Sequence, residues 1–260
     1  MTTGEKIELN NTNICLNALS ENAILITWPE RVCPRQHRQI TDLEHALIQH
    51  LSVNRSHPII IDTVSAYNSL MIYYDFFQIS AQQMLQRCQQ QLHELQANST
   101  ESTEHHAKNH SALIEIPVYY GEQAGIDLLD CASKLNIEPE KIISQHTQQT
   151  FRAYALGFTP GFCYLGQLPS SLQLTRRATP RAKMPVGAVA IAEQQTAVYP
   201  SNSPGGWHII GRTPVAMYQI KQSDDSSVER QFKPLISLGD QVKFNAIDKA
   251  TYLELGGHFD

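Results

Sequence analysis

"VAIAEQQTAVYP", Val189 to Pro200, holds two short β-prone runs joined by a polar turn, and it repeats the texture of everything after Thr150. The same texture recurs in "TFRAYAL", "WHIIGR", "MYQI" and "DQVKFNAI", with Pro and Gly punctuating the intervals. Many short strands at turn-rich spacing predict a closed or nearly closed β-barrel in the C-terminal half. Just before it stand a strand, "LIEIPVYY", and two helical segments, "IDLLDCASKL" and "EPEKIISQH". Pro139 suits a first helical position, and Glu138 and Glu140 favour the positive end of that helix.

The first third has a different rhythm. "AILITW" is a compact β-prone run, whereas "RQITDLEHALIQHL" spaces Ile40, Leu43, Leu47 and Leu51 as one helical stripe. "PIIIDTV" and "NSLMIYY" predict a hairpin. Ala81, Met84, Leu85, Cys88, Leu92 and Leu95 then give a second amphipathic helix. The order β-α-β-β-α predicts a small α+β domain on a ferredoxin-like plan. Between the halves, Gln96 to Ser111 has almost no apolar content and cannot offset the entropy of ordering itself, which predicts a linker. The domains expected are therefore 1–95 (α+β), 96–111 (polar linker) and 112–260 (barrel). His105, His106 and His110 in the linker lack a carboxylate or thiolate frame, so a solvated loop is favoured over a metal site, and no metal is expected.

Composition narrows the function. The 260 residues are 42% apolar, enough for two cores, and the net charge of −5 has no long basic run, which argues against nucleic acid and anionic membrane surfaces as partners. Five scattered cysteines in no CxxC pair read as reduced cytosolic thiols. The start, "MTTGEKIELN", has no apolar core of a secretory signal, and no later run approaches the roughly 20 residues of a membrane span. A soluble, cytoplasmic protein is expected.

Three stretches are too peculiar for ordinary barrel turns. In "RAYALGFTPGFCYLG", Gly157, Gly161 and Gly166 permit unusual backbone angles, Pro160 stiffens the turn, and Phe158, Phe162 and Tyr164 supply flat walls. Those walls either line a small-molecule pocket, face a partner subunit, or plug one end of the barrel. In "RRATPRAKMPVGAVAIA", Arg176, Arg177 and Arg181 form the densest basic cluster, suited to a carboxylate or else to internal ion pairs. In "YPSNSPGGWHIIGRTP", Ser203, Gly205 and Gly206 shape a turn beside Trp207 and ahead of Arg212, which is either an anion-binding nest or a hairpin with Trp207 in the core. His146 is either a satisfied core histidine or a proton-transfer group, with Tyr154 as its nearest polar companion. No GxSxG, GxxxxGK[ST] or helix-opening GxGxxG occurs, so the chain has no nucleophile elbow and no nucleotide cradle of its own.

In that order, and preceded by "IEIPVYYGEQAGIDL", the motifs "GFTPGFCYLG", "RRATPR", "PVGAVAIA" and "VYPSNSPGGWHIIGRTP" closely resemble the family of 5-oxoprolinase B subunits. That family is also called allophanate hydrolase subunit 1 and includes the KipI-type kinase inhibitors. The resemblance runs from about Ala18 to Phe244 and is strongest from Ile114 onward. It implies an N-terminal α+β domain and a C-terminal cyclophilin-like carboxyltransferase-domain barrel. It further implies one component of a multi-subunit, ATP-dependent hydrolase that converts 5-oxo-L-proline, a cyclic amide, to L-glutamate. The A and C subunits of 5-oxoprolinase would be its partners, with ATP bound by the assembled hetero-oligomer. The same resemblance admits two alternatives, an inhibitor of a sensor histidine kinase and a urea-amidolyase-type component. It makes His146 and Tyr154 candidate catalytic residues. On the physical reading of the three stretches, Phe158, Pro160, Gly161, Phe162, Tyr164, Arg176, Arg177, Arg181, Ser203, Gly205, Gly206, Trp207 and Arg212 are candidate substrate contacts; these elements enter and leave the barrel in succession, so their turns are expected to share one rim with His146 at its edge.

Overall fold

The computed structural model describes residues 4–9, 12–29, 32–51, 57–99, 112–221 and 231–259. The chain divides into two compact units, Met1–His110 and Ser111–Asp260. His105, His106, His110 and residues 100–111 of the expected linker lie outside the described residues.

The first unit contains strands β1 (Gly4–Leu9), β2 (Thr12–Ser20), β3 (Ala23–Thr27), β4 (Ile60–Ala66) and β5 (Ser69–Tyr74), with helices α1 (Pro34–Leu51) and α2 (Ala81–Ser99). Within this unit the strands run antiparallel in the order β1-β2-β3-β5-β4. Residues two apart along a strand share a face, so Ile14 and Leu16, Ile24 and Ile26, and Leu70 and Ile72 all turn to one side. There they meet Ile40, Leu43 and Leu47 of α1 and Met84, Leu85, Cys88 and Leu92 of α2 in one buried cluster. Truncating such a fully buried leucine, for instance Leu43→Ala, costs about 2–5 kcal/mol. The start of α2 is set by a reciprocal cap. The Ser80 Oγ accepts the Gln83 amide at 3.3 Å, and the Gln83 Oε1 accepts the Ser80 amide at 3.0 Å.

Two expectations are corrected by this unit. The β-α-β-β-α order is present as β3-α1-β4-β5-α2, but β1 and β2 precede it, and β2 takes the place beside β3, so a plain ferredoxin-like plan is not what the sheet shows. Also, α2 continues to Ser99, four residues into the stretch expected to be linker. Gln96 and Ala97 are polar or small but carry no helix breaker, and the helix runs on past its last apolar contact, Leu95.

The second unit is mainly β. Its strands are β6 (Leu113–Tyr119), β7 (Thr150–Leu156), β8 (Cys163–Gly166), β9 (Arg181–Met184), β10 (Ala188–Ala192), β11 (Gln195–Val198), β12 (Ser203–Gly205), β13 (His208–Arg212), β14 (Tyr218–Lys221), β15 (Gln231–Pro234) and β16 (Gln241–Ile247). Three helices accompany them: α3 (Leu128–Leu135), α4 (Pro139–Gln148) and α5 (Lys249–Glu254). Seven strands, β7-β16-β6-β13-β10-β11-β8, close into a barrel through the β7–β8 pairing. Only β6 and β16 run parallel within it. The barrel core gathers Ile116, Val118, Phe151, Leu165, Ile191, Ile210, Val242 and Phe244, with Leu128 of α3 and Ile142 of α4.

Strand β10 positions the candidate site. All five of its residues are buried. Val189 and Ile191 point into the barrel core, whereas Ala188, Ala190 and Ala192 belong to a second cluster on the outer face. Three alanines in alternation leave that outer face shallow, and large rings fill the space: Phe162, Tyr199 and Trp207, with Met184 and Ile209.

Candidate functional site

Phe162 is the hub of the outer cluster. Its ring centroid lies 4.8 Å from Tyr164, 5.2 Å from Tyr199, 5.2 Å from Phe158 and 5.9 Å from Trp207, in edge-to-face pairs. That geometry sets the positive ring edge on a neighbouring negative face. The loop that delivers these rings turns through left-handed backbone at Phe158 (φ 74°) and Gly161 (φ 83°). A side chain at position 161 would meet Tyr218 Cδ1 at 2.7 Å, which is why glycine is required there. The left-handed backbone of Phe158 costs roughly 1–2 kcal/mol, and the residue is nevertheless 57% exposed. Together Leu156, Phe158, Pro160, Phe232 and Pro234 line an open apolar groove of about 420 Å³.

The arginines sit at a different place, organised by a residue that the sequence reading did not single out, although it lies within the quoted "IEIPVYYGEQAGIDL" stretch. Asp127 ends the "AGID" turn ahead of α3, and its carboxylate is buried. Arg181 grips it with both terminal nitrogens, at 2.6 and 2.8 Å, and Arg177 Nη1 adds a third bond at 2.9 Å. The Ile209 amide donates a fourth at 2.8 Å. Every lone-pair direction of the carboxylate is thereby used, which is what keeps a buried charge tolerable. The knot ties α3, the 177–181 segment and β13 together. β9 and β12 pair beside it, and the Arg177 amide donates to the Gly206 carbonyl at 2.8 Å. A cavity of about 480 Å³ opens here, lined by Asp127, Asp130, Lys134, Arg177, Ala178 and Thr179.

The structure thus brings the three peculiar stretches together around Trp207 and Phe162, but not as one pocket. The groove and the cavity share no lining residue. Trp207 is buried within the aromatic cluster rather than exposed for docking. Gly205 lies in a paired strand, where a side chain would meet Met184 Cγ and the Tyr199 hydroxyl at 2.6 Å, so the turn is part of a ribbon and not an open nest. Arg176 stands apart from the knot, 57% exposed and 3.6 Å from Glu193, a pair worth little in water. Arg212 is buried with its Nε donating to the Val186 carbonyl at 2.7 Å, which commits it to the scaffold. The Ser203 Oγ is buried with no hydrogen-bond partner among the described residues.

His146 is not at a rim. It is fully buried in the barrel core, stacked on Phe244 at 4.6 Å. One ring nitrogen bonds the Tyr120 hydroxyl at 2.8 Å and the other the Thr196 hydroxyl at 2.9 Å. Burial pulls its pKa down from 6.5 to about 3, so the ring is neutral at every physiological pH. Tyr154 is also buried, and it is not one of the hydrogen-bond partners of His146. The companion that sequence missed is Tyr120. Burial raises its phenol well above the usual range, which keeps it a hydrogen-bonding hydroxyl. The thiol of Cys163 is likewise raised by burial, and that of Cys131 is pushed up to about 12, so neither is a nucleophile.

The family described as carboxyltransferase domain, subdomain C and D, matches residues 14–228. The B subunit of 5-oxoprolinase from Haemophilus influenzae is 35% identical over 226 residues, covering 87% of this chain and 94% of the relative. Its counterpart from Bacillus subtilis is 30% identical over 240 residues, covering 91% and 94% respectively. The chain belongs to the 5-oxoprolinase B-subunit family of carboxyltransferase-domain proteins. Among solved structures, TTHA0988 superimposes with a TM-score of 0.68 at 30% identity, over 88% of this chain. The chain spans only 40% of the length of TTHA0988, so the relative continues well beyond the region the two share. Within the family the seven-stranded barrel accords with a cyclophilin-like carboxyltransferase fold.

Proposed function

We propose that this chain is the B subunit of a multi-subunit 5-oxoprolinase, a hydrolase that opens the lactam of 5-oxo-L-proline to give L-glutamate. The observation that carries the proposal is the match to relatives of that name over 94% of their own length. ATP bound by the assembly would supply phosphoryl transfer to the lactam carbonyl oxygen, making the ring carbon electrophilic to water; the adduct would then break the ring C–N bond, the nitrogen leaving as the free amine of an acyl phosphate, whose hydrolysis gives L-glutamate and phosphate. The residues present do not fit the nucleotide. The described residues hold no strand–glycine loop–helix cradle, and the charged groups of the knot and its cavity carry one surplus positive charge where a triphosphate calls for several. In this reading ATP is bound by a partner of the A or C type, and the isolated chain is inactive. The C-type partner would engage the exposed Phe158 and Phe232 side of the barrel unit rather than the buried Trp207. No helix among the described residues is long and apolar enough to cross a membrane, and a cytoplasmic setting suits an ATP-consuming hydrolase.

In this reading the apolar cluster and the Asp127 knot, with Arg177 and Arg181 committed to it, form a rigid scaffold of the barrel unit. The genetic test is growth on 5-oxoproline as sole nitrogen source. Deleting this gene alone should abolish growth, and restoring it should recover growth. Undiminished growth of the deletion strain would remove the proposal.

A further inference from the structure

The first unit displays an apolar knob. Phe76 and Phe77 stand in the turn between β5 and α2 with their ring centroids 4.2 Å apart. Phe77 is 86% exposed, more than any other large apolar side chain among the described residues. Asp75 fixes the turn. Its carboxylate accepts the Phe77 amide at 3.0 Å and the Gln78 side-chain amide at 2.8 Å, and its carbonyl oxygen accepts the Gln78 amide at 3.0 Å. The Asp75 amide donates to the Ile59 carbonyl at 2.9 Å, which ties the turn to the residue just ahead of β4. Two adjacent rings are thus held out on backbone that is already ordered, so covering them loses little further entropy. A single exposed leucine is ordinary on a protein surface, whereas a fixed aromatic pair has the composition of an interface hot spot.

The apolar groove beside Phe158 is the matching hollow. None of the residues that line it is charged, so it offers no counter-charge to an ionic ligand or a nucleic acid. An apolar cavity of about 150 Å³ holds one benzene ring, so the 420 Å³ of the groove admits both phenyl rings of the knob. The hollow is also pre-formed. The Phe162 carbonyl accepts the Gly157 amide at 3.2 Å, the Thr159 carbonyl accepts the Phe162 amide at 3.0 Å, and β15 is held by its pairing with β14. From these two features we infer that the Phe76–Phe77 knob of one copy of this chain seats in the Phe158–Phe232 groove of a second copy. Each copy offers one knob and one groove, so the contact is of the head-to-tail kind. A contact carried by two rings is small and forms on the order of 100 µM protein. The net charge of −5 on each copy opposes it, so added salt tightens it. The proposed function gives the same groove to a C-type partner, so self-association and assembly exclude each other; that consequence rests on the proposed function, and the self-contact does not.

The test is sedimentation equilibrium of the full chain without partners, from about 10 µM to about 1 mM. The average mass should rise with concentration, and more steeply at higher salt. Phe77→Ser removes the knob and keeps the groove, Phe158→Ser does the opposite, and each should weaken self-association about tenfold or more. Mixed together, the two variants restore one intact knob and one intact groove. They should join as a pair, one of each, with the affinity of the wild-type contact and no larger species. Both rings are exposed, so both variants should keep the wild-type fold. Phe232→Ser is a second groove variant and should behave as Phe158→Ser does. Leu129→Ser, at an exposed apolar residue of α3, should leave the association unchanged. A chain that stays monomeric at every concentration, an unchanged affinity in Phe77→Ser, a mixture that fails to pair, or equal weakening by Leu129→Ser overturns the contact. If the mixed variants pair while deletion of the gene leaves growth on 5-oxoproline undiminished, the proposed function fails and the self-contact stands. If the deletion abolishes growth while the chain stays monomeric, the reverse holds.

Discussion

The residue that best separates structure from chemistry is His146. Its neutral ring is locked between two hydroxyls and stacked on Phe244, so replacing it removes core packing and two buried hydrogen bonds. His146→Gln should cost about 2–4 kcal/mol at pH 7 and leave the turnover of correctly folded assembled enzyme intact. The pH dependence has a definite sign. The folded pKa is depressed from 6.5 to about 3, so the unfolded chain takes up a proton below pH 6.5 that the folded chain refuses. Stability from this group is complete above that value and is lost as pH falls towards 3. The gap between wild type and His146→Gln should therefore narrow by about 2 kcal/mol between pH 7 and pH 5 in urea titrations. A variant of unchanged stability with lost turnover would restore the proton-transfer reading. Sequence could show that His146 fell near an apolar helix face, but not that Tyr120 and Thr196, far along the chain, would satisfy both nitrogens. Asp127 was hidden for the same reason. Its arginine partners lie fifty and more positions away, and nothing local marks a carboxylate that will be buried.

At the scale of elements, the barrel strands were legible because many of their residues are β-branched or aromatic and the turns between them carry Pro and Gly. Strand β2 was not, since Ile14 and Leu16 are flanked by Asn13 and Asn17, and asparagine favours turns over sheets. The two-stranded β9–β12 ribbon was equally hidden, being short, carrying Pro and Gly in β12, and pairing across distant sequence. It is nevertheless the element that holds the arginines beside the aromatic cluster. Gly205→Ala tests this, because the new methyl group would press on Met184 and Tyr199 within a closed core. Its cost should be about 1–3 kcal/mol, read as a lower urea midpoint with unchanged slope. An unshifted midpoint would mean that the ribbon yields, and that it does not fix the arginines.

At the scale of the whole molecule, two units with separate cores predict two separable folding bodies. Residues 100–111 carry almost no apolar side chains, so limited proteolysis should cut there first and release a stable fragment beginning near Ala112. A first cut within Arg176–Pro185 would contradict the rigid Asp127 knot. The central claim, that this chain is an indispensable but insufficient part of a lactam hydrolase, is tested most directly by reconstitution. The measurement is ATP-dependent glutamate release from 5-oxo-L-proline by purified chain and partner subunits, with each component omitted in turn. Release is predicted only when this chain and its partners are all present, and none from the chain alone. Steady release by the chain alone, or undiminished release in its absence, would contradict the account.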